Sequence, residues 1–497
     1  MIRDIRVRSD EPARRGRDQQ VTAPSPSPAG FPRPCRAWQT RTVPIDLIYD
    51  DPRSDVLLST GTENPVRRSV LPGGIRLLTE TDHSVRSATL GMWLPVGSRD
   101  ELPQHAGSTH VLEHLLFKGT RRRSPLDIAS AFDEVGGESN AVTAKEHTFY
   151  YGRVRSADVP LALDVLADMV TSSTLSDESL ETEREVILEE LAMAEDDPTD
   201  IGYETFLSRV LGEETPLGRP VGGTPASVRA LTGRDVRAHY ADHYRPDNLV
   251  ITAVGDIDHD ELRRQAIDAL RAGGWQLEEG ALPSAHPLTR PRSLHGVPDV
   301  DALQAHTLQR DTEQTHVFLG GPGLPATSEE RHTLGVLMSI LGGGMSSRLF
   351  QHIREERGLA YSVYSFSSGY REAGLFGLYA ACRPSRAEQV VDLMAAELAA
   401  MGSDGVTEAE MHRALGQITG SLALGLEDTS ARMGRLGTIE LVHGRYTSVD
   451  ETLERIASVT AADVQELAAR LAGAFSTRVD VGARAETDQT TTREDLV

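Results

Sequence analysis

The sequence predicts an α+β fold made of two homologous halves, each a mainly antiparallel sheet with helices packed on one face. Three observations lead to this prediction. The chain has 497 residues, which is too long for a single hydrophobic core. Strand-like and helix-like segments follow one another in mixed order, as is typical of α+β proteins. The order of segments in the first half recurs in the second, which indicates a duplication.

The first half combines short strands with helices that carry recognisable start and stop signals. Residues 88–96 alternate like a half-buried strand. Ser124 is an N-cap followed by Pro125 at the first helical position, and Gly136 and Gly137 end that helix. The predicted strands are 88–96, 138–142, 148–154 and 248–255, and the predicted helices are 107–118, 124–134, 158–172, 179–195, 200–211 and 233–243.

The second half repeats this plan. A strand over 314–320 precedes a helix over 329–341, which stops at the glycine run 342–344. The remaining predicted elements are a helix at 347–357, strands at 360–369 and 374–382, and helices at 386–402 and 407–426. This order predicts a second layer of sheet and helices like the first.

Composition sets the expected domain boundaries. Residues 1–66 are rich in Arg, Pro, Ser and Asp and have little apolar surface to bury, so we expect a disordered N-terminal extension there. Residues 274–297 lack periodicity and contain several prolines, which is typical of a linker. The expected halves therefore span 67–273 and 298–485, followed by a polar tail over 486–497.

The charge balance and the apolar content exclude several classes of partner. With 51 basic against 74 acidic residues the net charge is −23, and no basic stripe stands out, so we expect no nucleic-acid partner. No stretch approaches the roughly 18 uncharged apolar residues of a membrane span. The N-terminus lacks the apolar run of a secretory signal. We therefore expect a cytoplasmic protein with no membrane partner.

The two cysteines restrict the chemistry of any metal site. Cys35 lies in a Pro-rich segment and Cys382 in a predicted strand, so a disulfide framework is not expected. A structural zinc site built from thiolates is excluded by the same count. Any metal must therefore be held by His and carboxylate side chains.

One pentapeptide carries the pattern of a metal site. His110 and His114 are four residues apart, so on a helix they project from one face, one turn apart, and suit one metal ion. Glu113 lies near the same face, where its carboxylate can reach a metal-bound water rather than the metal. The alternative is a solvated helix face beside an ordinary apolar stripe. The spacing alone leaves both interpretations open.

A catalytic zinc ion needs a third protein ligand, and the acidic helix at 181–191 supplies candidates. Glu183 and Glu190 are seven residues apart, two helical turns, so they share a face. For any one of these glutamates taken alone, an exposed helix face is the favoured interpretation.

The residues around these positions resemble the pitrilysin/insulinase family of zinc metallopeptidases, whose inverted zincin signature is His-x-x-Glu-His. The resemblance covers roughly 68–485 and is strongest to short, two-domain bacterial members and to the β subunit of mitochondrial processing peptidase. The matching stretches keep the family's order and spacing: 107–120 (GSTHVLEHLLFKGT), 136–143 (GGESNAVT), 183–191 (EREVILEEL), and 343–350 (GGMSSRLF) through Arg354 to Tyr361.

The resemblance implies a role for each matching residue. It implies His110, His114 and Glu190 as ligands of one Zn²⁺ per chain, and Glu113 as the catalytic base. It implies Glu183 as a supporting acidic residue of the catalytic site. Two pairs are implied to bind substrate: Asn140 and Ala141 on a strand edge that pairs with a peptide, and Arg354 with Tyr361 near the scissile carbonyl.

The implied function is that of a zinc-dependent endopeptidase acting on unfolded peptides or presequence-like segments. Opposite the metal motif the second half has Leu334, Leu337 and Met338, so we expect it to be metal-free. Because the family's chamber needs four such domains and this chain has two, the resemblance implies a homodimer, or a heterodimer with a paralogue. The alternative function is a non-catalytic or partner-dependent subunit of a heterodimeric processing complex.

Overall fold

Two large sheets, one in each half, and a small two-stranded sheet organise the described residues. The computed structural model describes residues 45–47, 55–59, 64–284 and 302–483. The first-half strands are β1 (Ile45–Asp46), β2 (Asp55–Ser59), β3 (Val66–Leu71), β4 (Ile75–Thr81), β5 (Ser87–Leu94), β6 (Glu138–Thr143), β7 (Thr148–Arg155) and β8 (Val250–Gly255). The first-half helices are α1 (Ser108–Leu116), α2 (Pro125–Asp133), α3 (Val159–Ser172), α4 (Asp177–Asp196), α5 (Pro198–Leu211), α6 (Pro225–Ala230), α7 (Gly233–His243) and α8 (His259–Ala272).

The second half follows the same plan with fewer strands. Its strands are β9 (Gln304–Leu308), β10 (Thr315–Pro322), β11 (Ala360–Gly369), β12 (Gly374–Cys382), β13 (Arg445–Tyr446) and β14 (Thr477–Val481). Its α-helices are α9 (Arg331–Gly342), α10 (Ala387–Ser403), α11 (Glu408–Gly425), α12 (Thr429–Thr438), α13 (Val449–Ala457) and α14 (Ala461–Ala472), with π-helical segments at Phe350–Glu355 and Ile439–His443. Within the described ranges, no helix combines the length and the apolar character needed to cross a bilayer.

The two sheets share one topology. The first has the strand order β2-β3-β4-β8-β5-β7-β6, and the second has β11-β12-β10-β14-β9. Every pairing is antiparallel except β4 with β8 and β14 with β9. One edge strand of each sheet, β6 in the first and β11 in the second, forms a hairpin with the strand beside it, β7 or β12. The predicted α+β fold with mainly antiparallel sheets is therefore confirmed.

Local signals explain the elements that were predicted. Ser124 begins α2 as expected, since its hydroxyl accepts from the backbone of Asp127 while the Asp127 carboxylate bonds back to Ser124. Five α-helices were missed: α6, α8, α12, α13 and α14. Residues 248–255 were expected to close the first half, but α8 follows, capped by the Asp258 side chain on the Glu261 amide.

The disordered N-terminal extension expected over 1–66 is wrong for two stretches. β1 pairs with β13 of the second half, and β2 pairs with β3 of the first. Leu47 and Leu58 are buried in one cluster with residues of both halves, so apolar burial holds these stretches in place. Residues 1–44, most of the linker (285–297) and the tail over 486–497 lie outside the described residues.

One helix of each half packs against the sheet of the other half. Phe206 and Val210 on α5 pack with Phe318 and Tyr379 of the second sheet. Met433 on α12 packs with Trp93 of the first sheet. Both faces of each sheet are therefore buried, one by its own helices and the other by this exchange.

One glycine shows how closely the exchanged helix approaches. A Cβ added at Gly437 on α12 would lie 2.4 Å from Cε2 of Trp93. Any larger residue there would collide with a ring that is itself buried. Each half has a core of its own, and two further apolar clusters join the halves.

Candidate active site

Helix α1 presents two imidazoles from one face and buries the other. The rings of His110 and His114 have centroids 4.8 Å apart and lie nearly perpendicular, at 81°. Val111, Leu112 and Leu115 are buried in the first-half core. The spacing therefore has the geometric consequence expected from the sequence, and the helix is anchored by its apolar face.

The start of α1 is held by a side chain that the sequence did not single out. Glu101 is 5% exposed, and its carboxylate accepts from the backbone N–H groups of Gly107 and Thr109 at 2.8 and 2.7 Å. These groups have no partner inside the helix. Glu101 therefore caps the helix that carries both histidines, although it precedes that helix by a loop.

Helix α4 brings a carboxylate to the two imidazoles. Glu190 Oε2 lies 3.8 Å from His110 Nε2 and 3.5 Å from His114 Nε2. Zinc with bonds of about 2.0–2.1 Å puts neighbouring ligand atoms about 3.3 Å apart in a tetrahedral site. Two imidazoles and one carboxylate also form a common catalytic zinc set. Among the described residues this is the one group of three acidic, His or Cys side chains close enough to hold a metal ion.

The ionisation of the site suits metal binding. Burial, together with neighbouring His114, lowers the pKa of His110 to about 4. The imidazole is therefore neutral near pH 7, which is the form that binds a metal. The residues present fit a zinc ion in donor type and in spacing.

Glu113 faces the cleft beside the three candidate ligands. Burial raises the pKa of its carboxyl, partly offset by a hydrogen bond from Thr143. The Thr143 hydroxyl on β6 donates to Glu113 Oε2. The edge strand thus holds this carboxylate in the cleft, where it can meet water or substrate.

Glu183 lies behind the histidines rather than beside Glu190. Its Oε2 is 3.1 Å from His114 Nδ1, and its Oε1 is 2.9 Å from Lys118 Nζ. The side chain is only 4% exposed. Glu183 therefore orients the outer nitrogen of one imidazole, an arrangement common around metal-bound histidines.

A cleft of about 610 Å³ opens over these residues. Its walls come from α1, α2, α4 and β6: His110, Glu113, His114, Phe117, Lys118, Pro125, Ile128, Ala129, Ser139, Asn140, Glu183 and Glu190. Asn140 thus reaches the cleft as expected. Ala141 lies beside it on the edge strand, and its amide donates to the Asn140 side chain at 2.8 Å.

The second predicted substrate pair forms, but away from this cleft. The Arg354 guanidinium lies 4.2 Å from the ring centroid of Tyr361 and 4.6 Å from that of Phe350. Its Nη1 also donates to the Tyr361 carbonyl at 2.9 Å. Tyr361 is 72% exposed. All residues lining the metal cleft belong to the first half, so the structure does not bring Arg354 or Tyr361 to it.

The positions opposite the metal motif in the second half carry no ligands. Leu334, Leu337 and Met338 are buried on α9 in the second-half core. Their side chains pack rather than coordinate.

Sequence reasoning missed Glu101, Thr143 and Lys118 as parts of the site. Thr143 and Lys118 fall inside the stretches that carry the family resemblance, but nothing in their spacing indicated contacts with Glu113 or Glu183. A signal for Lys118 existed, since only two of the 51 basic residues are lysines, Lys118 and Lys145.

Comparison with known proteins identifies two family models and several relatives that this chain matches. The family model of insulinase, peptidase family M16, matches residues 76–225, and that of the peptidase M16 inactive domain matches 230–418. An uncharacterized zinc protease of Streptomyces coelicolor is 52% identical over 408 residues, 82% of this chain and 87% of that protein. Another from Mycobacterium tuberculosis is 45% identical over 405 residues, covering 82% and 90%. One from Bacillus subtilis is 36% identical over 406 residues, covering 82% and 95%.

These matches establish the family. The chain belongs to the insulinase family of zinc proteases, peptidase family M16. Solved structures agree on the fold. A peptidase M16 inactive domain from Pseudomonas fluorescens has a TM-score of 0.76 at 20% identity, covering 86% of this chain and all 100% of that chain. A protease from Helicobacter pylori has a TM-score of 0.75 at 21% identity, covering 84% and 99%.

Proposed function

We propose that this protein is a zinc-dependent endopeptidase, with His110, His114 and Glu190 as the ligands of one Zn²⁺ per chain. The observation that carries the proposal is the convergence of these three side chains at one point, with Glu113 beside them in an open cleft. A bound zinc ion supplies a Lewis acid that polarises the scissile carbonyl and makes water a better nucleophile.

Glu113 acts as the general base in this proposal. Thr143 holds the Glu113 carboxylate in the cleft, where it accepts the proton of the attacking water. The raised pKa of this buried carboxyl makes it a stronger base than an exposed glutamate. The same carboxyl then returns the proton to the leaving amine, and the peptide bond breaks.

The substrate proposed for this site is an extended, unfolded peptide. β6 is the edge of its sheet, and Asn140 on this strand lines the cleft, so a peptide can add to the edge as a further strand. Backbone pairing of this kind selects extended chains rather than a particular side chain.

The partner proposed is a second copy of this chain. Arg354 and Tyr361 form a pair, exposed at Tyr361 and partly buried at Arg354, that does not line the cleft of their own chain. In a homodimer these side chains can act on the partner's cleft, and a paralogue could supply the same pair in a heterodimer.

Digestion of a peptide library, followed by mass spectrometry, tests the proposed activity. We expect internal cleavages that disappear with a chelator and return on addition of zinc. Purified protein should contain zinc. Metal-free protein that cleaves peptides equally well would contradict the metal mechanism. Zinc-loaded protein that cleaves nothing alone would favour the partner-dependent subunit instead.

A further inference from the structure

Lys118 stands out first by its residue type. Of the 51 basic side chains, 49 are arginines, and the exceptions are Lys118 and Lys145. Lys118 lies two residues after the end of α1, where its backbone N–H bonds to the Leu115 carbonyl at 3.1 Å. Its side chain lines the same cleft as the candidate zinc ligands. A chain that otherwise prefers guanidinium therefore has an ammonium at this position.

The contacts of Lys118 form a short chain that ends at the metal site. Its ammonium lies 2.9 Å from Oε1 of the buried Glu183. The other oxygen of that carboxylate lies 3.1 Å from His114 Nδ1. The opposite nitrogen of the same ring, Nε2, points to Glu190 at 3.5 Å. One carboxylate thus joins a lysine to a candidate zinc ligand.

The burial of Glu183 makes this lysine important. A carboxylate that is only 4% exposed is costly to keep charged unless it is paired. Among the described residues, Lys118 is the side chain that pairs with Oε1, and His114 takes Oε2. With Lys118 removed, one oxygen loses its partner, and the carboxylate can turn away from the imidazole.

The chemistry of lysine fits this task better than that of arginine. A guanidinium tends to bind both oxygens of one carboxylate through its planar fork. An ammonium is a compact point charge that can pair with one oxygen and leave the other to the imidazole N–H. The geometry at Glu183 has this divided form, with each oxygen on a different partner.

We propose that Lys118 is a positioning residue for the zinc site, acting through Glu183 to hold the His114 ring in its metal-binding orientation. This inference rests on the proposed zinc site. It assigns to Lys118 an effect on metal binding, although Lys118 touches neither the metal ligands nor the reacting atoms.

The sign of the effect separates this role from simple electrostatics. A positive charge near a cation site repels the metal, so removal of Lys118 on Coulomb grounds alone would tighten zinc binding. Loss of a positioning partner instead weakens it, by about 10- to 100-fold for groups behind a metal ligand. The two explanations predict opposite changes.

The test is zinc affinity of the full-length protein, measured by competition with a chromophoric chelator. Lys118→Met keeps the length of the side chain and removes the charge, and we expect affinity to fall about 10- to 100-fold. Arg155→Met is the matched control, because Arg155 is 69% exposed, pairs with Asp158 and does not line the metal cleft. The control variant loses one positive charge, as Lys118→Met does, and should bind zinc with the affinity of the unsubstituted protein.

A double substitution tests the route of the effect. In a Glu183→Gln background, Lys118→Met should cause no further loss, because Lys118 acts through that carboxylate. Unchanged or tighter binding by Lys118→Met would overturn the proposal. So would the same loss in both backgrounds. If the unsubstituted protein bound no zinc, the proposed function would fail first, and this inference with it.

Discussion

Arg68 and Glu440 form a bidentate ion pair across the boundary between the two halves. Arg68 Nε lies 3.0 Å from Oε2 of Glu440, and Nη2 lies 2.9 Å from Oε1. The side chains are 2% and 0% exposed. Arg76 Nη1 is 4.0 Å from the same carboxylate. Glu440 therefore compensates two buried cations on the first sheet from a segment of the second half.

We expect Glu440→Gln to destabilise the protein more than Arg68→Met. Removing one partner of a buried ion pair costs about 3–5 kcal/mol because the remaining charge stays buried. The glutamine variant takes the carboxylate from two guanidinium groups, whereas Arg68→Met leaves Arg76 beside Glu440. Differential scanning calorimetry of the three proteins measures the order. Equal shifts of the unfolding midpoint would mean that Arg76 does not share this carboxylate.

Glu113→Gln should abolish cleavage without loss of zinc. Loss of a general base costs about 10²- to 10⁴-fold in rate. The metal should stay because the candidate ligand set is His110, His114 and Glu190. The measurements are peptide cleavage and zinc content of the same preparation. Glu189→Gln is the control. Glu189 directly precedes Glu190 in the sequence, is exposed and does not line the cleft. A Glu113→Gln variant with substantial cleavage would show that another group takes the proton.

The proposed homodimer predicts complementation between two inactive variants. Glu113→Gln keeps Arg354, and Arg354→Ala keeps Glu113. If Arg354 acts on the partner's cleft, a mixed dimer contains one complete site, so mixing the variants should restore part of the activity. If it acts in its own chain, every site in the mixture lacks one group and activity stays low.

Light scattering coupled to size-exclusion chromatography provides the control for that experiment. It establishes whether the chain is dimeric and whether the subunits exchange during mixing. A monomer that remains fully active at nanomolar concentration would contradict the homodimer.

The stability of the protein should fall in acid partly through His443. Burial, with Arg331 and Arg435 nearby, lowers the pKa of His443 to about 4 from the ordinary 6.5. As the pH falls, His443 is therefore protonated near pH 6.5 in the unfolded chain but only near pH 4 in the folded chain. The stabilisation is present above pH 6.5 and is lost as the pH falls from 6.5 towards 4.

His443→Gln removes this titration and should flatten the acid side of the stability curve. Thermal midpoints at steps between pH 7 and pH 4.5 make the comparison. The midpoint of the variant should fall less over this range than that of the unsubstituted protein. Parallel curves for the two proteins would exclude His443 as a source of the acid sensitivity.

The candidate site shows how far local spacing reaches. His110 and His114 could be placed on one helix face from the sequence, because a helix converts a separation of four residues into one turn. The choice of Glu190 over other glutamates of α4 came from the family resemblance. The role of Glu183 in orienting the His114 ring could be seen only in the structure, where its two oxygens contact Lys118 and His114.

The elements of the fold, too, were predictable only in part from the sequence. Strong strand alternation and clear caps made most elements predictable, for example α2 from Ser124 and Pro125. The strands at 45–46 and 55–59 were missed because their composition resembles a flexible arm. These two strands are held in place by pairing with β13 and β3 and by a shared apolar cluster. Those contacts involve residues elsewhere in the chain.

The sequence by itself determined the residue types, the helical spacing of the metal motif and the duplicated order of strands and helices. These follow from periodicities that act over a few residues. Only the tertiary structure decided which helix covers which sheet and which carboxylate orients the His114 ring. Residues such as Lys118 and Glu183, or Arg68 and Glu440, are far apart in the chain and close in space. Long-range packing brings them together, and no local pattern encodes that contact.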